Sequence, residues 1–134
     1  MERLKNMTSE EVMFSQLMRM KLRQDDYFKE DRYEAEMSFT AQLREYMKIT
    51  NRNQAKLCDE ISVEKTKMSK IINGKLKPNS ELMFRLERHS ENLLPALNWY
   101  RLHQKDTEQE LLKNTALKTA QYELVSGIDL GRIG

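Results

Sequence analysis

Apolar residues along the chain recur at helical spacing and almost never alternate, so the pattern predicts helices throughout and no strand. Thr8 followed by Glu11 reads as a capping box. Met13, Leu17 and Met20 after it predict a first helix over about Ser9 to Phe28. Val12, Phe14, Met18 and Leu22 are apolar as well, so this helix calls for cover on more than one side. The acidic stretch DDYFKEDRYEAEM reads as a hinge or a frayed helix end. Phe39, Leu43, Tyr46 and Met47 then give a buried-face stripe ending near Lys48, before the cluster Thr50 to Asn53.

The middle of the chain is punctuated more tightly. Asn53 caps a short helix carrying Ala55, Leu57, Cys58 and Ile61, and Ser62 ends it. Glu64 to Asn73 predicts the next, with Met68, Ile71 and Ile72 inward and Gly74 as its left-handed stop. Asn79 or Ser80 caps a helix whose Leu82, Met83 and Leu86 face inward. Pro95 suits the first turn of another, anchored by Leu97, Trp99, Tyr100 and Leu102. The polar run HQKDTEQE follows, before Leu111, Leu112, Leu117 and Leu124 resume a stripe. Either one long helix crosses this run, the favoured reading, or Asp106 and Thr107 cap a new one.

At 134 residues the chain suits one compact all-α domain with extensions. The division is a helical extension over 1–37, a compact unit over 38–92, a C-terminal helix over 93–125 suited to dimer or partner contacts, and a flexible tail over 126–134 containing SGIDLGRIG. Charged residues make up 33% and no apolar run approaches the ~18 residues a membrane span needs. The N-terminus is unlike a signal peptide and the single Cys58 has no internal partner, so the cytoplasm is expected.

Net charge is only +2, yet Glu64 to Lys77 holds five lysines against one acid. Two short helices with a tight turn form helix-turn-helix geometry, in which the second lies in a DNA major groove. Helical spacing leaves Lys65, Thr66, Ser69, Lys70 and Asn73 on the face opposite Met68 and Ile71. Groove edges present acceptors, which assigns Lys65, Thr66, Ser69 and Lys70 to base reading. Arg52, Gln54, Lys67, Asn73, Lys75 and Lys77 are assigned to phosphates. The plain alternative is a solvated lysine face on a helical bundle. The partner expected is double-stranded DNA, bound by a homodimer on a palindrome with half-sites about 34 Å apart, which places the chain at the nucleoid.

The stretch MSKIINGKLKP resembles the common ending of the DNA-binding motif in the Cro/phage-repressor family, also called the xenobiotic-response-element family. Gln54 matches that family's phosphate-clamping glutamine, and Leu57, Ile61 and Val63 match its packing positions. Cys58 stands where Ala is usual and Ser62 where the turn Gly is usual. The resemblance covers about Phe39 to His89 and implies a five-helix lambda-repressor-like bundle. The flank ELMFRLERHSENLLPALNWYRLHQKDTEQEL resembles HigA-type plasmid-maintenance antitoxins, with Trp99 and Leu102 at the family spacing. That implies an autorepressor dimer that binds a RelE-like ribonuclease toxin of the HigB kind.

Other chemistry finds little footing. His89 and His103 lie in no metal-ligand or nucleophile constellation, Cys58 has no activating base, and no glycine-rich phosphate loop exists. Trp99 reads as a core anchor. Neither an enzyme nor a cofactor or metal is expected. Six of the nine methionines precede Ser38, which suits core filling or an adaptable binding surface. The competing function is a protein-interaction module that keeps the fold without binding DNA.

Overall fold

The computed structural model describes residues 7–131, so the outermost parts of the N-terminal extension and of the tail expected above lie outside the described residues. Within them the fold is all-α: seven α-helices, one 3-10 turn and no strand. The helices are α1 (Ser9–Phe28), α2 (Phe39–Ile49), α3 (Gln54–Ile61), α4 (Lys65–Ile72), α5 (Ser80–His89), α6 (Ala96–Lys113) and α7 (Thr115–Tyr122), with the 3-10 turn at Ala35–Met37. No helix among them is long and apolar enough to cross a membrane.

The caps form where side-chain chemistry asks for them. Thr8 Oγ1 accepts from Glu11 N–H at 3.1 Å, Asn53 Oδ1 from Lys56 N–H at 2.8 Å and Asn79 Oδ1 from Leu82 N–H at 2.9 Å. Ser38 caps α2 in the same way, accepting from Ala41 N–H at 3.1 Å. Pro95 serves as the N-cap of α6, one place before the first-turn position expected of it.

One core joins α1 to α6, and α7 contributes no residue to it. Trp99 is fully buried at its centre, edge-on to Phe39 at 5.4 Å and to Tyr46 at 5.8 Å between ring centroids. Leu17 and Met20 of α1 belong to the same cluster as Leu43, Leu57, Met68, Leu86 and Leu102. Each such fully buried side chain stabilises the fold by about 1.5–3 kcal/mol.

A buried polar network fixes how α1 lies on α2 and α6. Gln24 donates to Gln42 Oε1 at 2.9 Å, and Asn98 donates to Gln24 Oε1 at 3.1 Å and to Asp25 Oδ1 at 3.2 Å. Because buried amides are costly without partners, only one register of α1 satisfies them. The stretch after α1 is neither a hinge nor a frayed end. Lys105 Nζ donates to the carbonyls of Tyr27, Glu30 and Arg32 at 2.9, 2.6 and 2.9 Å and lies 3.8 Å from the centroid of the Tyr27 ring.

Helix α6 runs unbroken through HQKDTEQE, as favoured, and the break falls later. Asp106 caps no helix of its own. Its carboxylate accepts from the first amide of α2, Phe39 N–H, at 2.9 Å and from Tyr33 Oη–H at 3.1 Å. Burial raises the Asp106 pKa against the lowering effect of these two donors, while burial and the nearby carboxylate push Tyr33 up to about 12. At Asn114 the backbone turns aside (φ −85°, ψ 61°), and the Asn114 side chain accepts from Leu117 N–H at 3.3 Å to start α7.

Candidate nucleic-acid interface

Three residues, Ser62, Val63 and Glu64, connect α3 to α4. Ser62 takes the left-handed conformation (φ 58°, ψ 46°), which a turn glycine adopts without strain, and Val63 N–H closes the end of α3 on Cys58 O at 3.1 Å. Arg85 of α5 reaches across to this bend, donating to Ser62 O at 2.7 Å and Ile61 O at 3.3 Å. Cys58 is buried where α3 meets the core, and burial pushes its thiol pKa up, so it packs as a small apolar residue.

Met68 and Ile71 bury the inner side of α4, with Ile72 partly covered against the same cluster. The opposite side faces solvent. Lys65, Thr66, Lys67, Lys70 and Asn73 are exposed and Ser69 is half-buried. No glutamate or aspartate of the described residues lies within 4.0 Å of the amines of Lys65, Lys67, Lys70 or Lys75. Asn73 donates to Ser69 Oγ at 3.4 Å, so these two share a hydrogen bond one turn apart.

Gly74 ends the helix with φ +74°, and an added Cβ there would meet no atom within 4 Å; conformation, not space, selects glycine. Lys70 O then accepts from Lys75 N–H at 2.8 Å and Leu76 N–H at 3.1 Å, which folds the chain back and leaves Lys75 and Lys77 exposed beyond the helix end. Lys77 comes within 3.9 Å of Glu110 on α6, both well exposed.

The expected site residues of α4 therefore lie on its solvent side, with Lys75 and Lys77 just beyond its end, and two others differ. Gln54 stands half-buried at the first turn of α3. Arg52 stands apart in purpose: its guanidinium donates to Glu60 Oε1 at 3.0 Å and Oε2 at 3.3 Å and to Thr50 O at 2.6 Å. Glu60 also accepts from His89 Nε2 at 2.8 Å, and Tyr46 Oη lies 2.5 Å from His89 Nδ1. Bonds from Arg52 and His89 hold the Glu60 carboxyl at about 2. His89 is thus a connector among α2, α3 and α5. His103 sits edge-on to Phe39 at 6.5 Å.

Sequence reasoning overlooked two positioning residues, Arg85 at the bend and Arg44, whose guanidinium donates to Ile72 O at the end of α4 at 3.4 Å. Lys56 on α3 is a further exposed cation and was equally overlooked. Comparison with models of protein families, with curated proteins and with solved structures finds no match.

Proposed function

We propose that the chain is a sequence-specific DNA-binding transcriptional regulator, an autorepressor that binds a palindromic operator as a dimer, with α4 in the major groove and α2 to α6 as a repressor-type five-helix bundle. The observation that carries this reading is the exposed lysine face of α4: three amines with no carboxylate of the described residues within 4.0 Å, on a helix whose other side is packed into the core. Cations left unneutralised on a rigid support suit a polyanion that arrives from outside. A module that had lost DNA binding would carry acids or large apolar side chains on that face, and this one carries Lys65, Thr66, Ser69 and Lys70.

In this reading Lys65, Thr66, Ser69 and Lys70 face base edges, while Gln54, Lys67, Asn73, Lys75 and Lys77 hold phosphates. Arg52 serves mainly as a brace for α3. The resemblance to HigA-type antitoxins supports the narrower proposal that a RelE-like toxin is a second partner, and a small basic protein encoded in the adjoining reading frame would support it further.

Gel-shift titrations with the duplex upstream of the protein's own reading frame, set beside scrambled duplexes, test the proposal. Lys65→Ala and Lys70→Ala are each expected to lose about 1–3 kcal/mol of discrimination at one or two base pairs. Lys75→Ala is expected to weaken all duplexes alike and to lower the slope of log K against log salt by about 1. No shift on any duplex at low ionic strength would overturn the reading. Equal losses on every duplex from all three variants would overturn the division of roles.

A further inference from the structure

We propose that the segment from Leu111 to Ile128 is the surface on which two copies of this chain pair, like on like, about a two-fold axis. It rests on the DNA-binding reading only in supplying the dimer that reading needs. Every residue from Glu110 to Gly131 is exposed, in contrast to the first half of α6, where Asn98, Trp99 and Leu102 are buried. Seven large apolar side chains stand in water along the segment: Leu111, Leu112, Leu117, Tyr122, Leu124, Val125 and Ile128, with exposures between 53% and 81%. Exposed apolar residues scattered singly are ordinary on a protein surface, but this many in one short segment mark an interface.

Three observations select a second copy as the occupant. The first is size: these side chains leave on the order of 900 Å² uncovered, close to the ~800 Å² per partner of a standard stable interface. The second is charge. Leu111 to Gly131 carries Lys113 and Lys118 against Glu123 and Asp129, so the segment is neutral, selects no strongly charged partner and meets its own copy without net repulsion. The third is α7 itself, an eight-residue helix with no buried residue. A helix that short is marginal in water without an apolar face to cover, and a cover that comes with every copy of the chain is the copy itself. Ala116, Leu117 and Ala120 fall on one stripe of α7 at helical spacing, with Leu124 in the turn after it, the two alanines allowing close backbone approach at the axis.

Sedimentation equilibrium on the full chain tests this. The wild type is expected to be a dimer. Leu117→Asp combined with Leu124→Asp is expected to raise the dimer Kd by roughly 100-fold or more. Ala120→Arg, which removes no contact within the chain, is expected to act in the same direction. Both variants keep the thermal transition of the core, because the altered residues touch none of it. Phe14→Asp, placed on the exposed side of α1, is expected to leave the dimer intact. A wild type that stays monomeric at high micromolar concentration, or variants that dimerise as the wild type does, overturns the proposal. So does dissociation by Phe14→Asp, which would move the interface to α1. Lys65→Ala and Lys70→Ala are expected to dimerise normally, so failure to bind DNA and failure to pair are separate results.

Discussion

Two sets of cations on this molecule live under different rules. Away from the outer face of α4, positive side chains are held by the protein itself: Lys105 by three carbonyls, Arg52 by Glu60 and Thr50, Arg85 by Ile61 and Ser62. On α4, Lys65, Lys67 and Lys70 touch no carboxylate of the described residues and stand in solvent. The difference lies in what each charge is for. A bonded cation stabilises the fold, whereas lysines kept apart from acids repel one another slightly and earn nothing unless something anionic docks.

The contrast breaks most visibly at Lys105. Lys105→Met keeps the aliphatic stem but strips three carbonyls of a charged donor, and is expected to cost about 2 kcal/mol of stability, read by chemical denaturation. Glu60→Gln loosens Arg52 and His89 together and is expected to cost about 1 kcal/mol. Its pH dependence sharpens the point. The Glu60 carboxyl is held at about 2, below its ordinary 4.5, so its contribution is complete above about pH 4.5 and vanishes as pH falls towards 2. Thermal melts of wild type and Glu60→Gln should differ at pH 6 and converge near pH 2. The smallest effect belongs to α4: Lys65→Ala and Lys70→Ala are expected to change stability by less than about 0.5 kcal/mol. A large loss of stability there would erase the distinction between the two sets.

What the sequence made legible is what neighbours along the chain decide. Thr8, Asn53 and Asn79 cap amides three places away, Gly74 and Ser62 reverse the chain locally, and the inward positions of α4 follow from a period of 3.6, so the helices and the lysine face could be read directly. Lys105 and Asp106 were opaque because their partners, Tyr27 to Arg32 and Tyr33 with Phe39, lie some seventy positions away in sequence. An acidic stretch with no apolar period looked loose, and a distant ammonium pins it. The break at Asn114 did leave a signal: from Leu112 to Leu117 the apolar stripe slips out of helical phase, and an asparagine stands in the gap. Arg52 and His89 were read singly and Glu60 not at all, because only the packing of α3 against α5 brings His89 to the Arg52–Glu60 pair.

The bend at Ser62 has a consequence for anyone who would alter this protein. Its carbonyl and that of Ile61 are gripped from behind by Arg85, so the direction in which α4 points is steered by a side chain that never reaches the outer face. Re-aiming that face is therefore a task for the rudder rather than the prow: a shorter or neutral residue at 85 releases the two carbonyls and keeps every surface lysine in the sequence, whereas glycine at 62 adopts the same left-handed turn without strain and holds the heading.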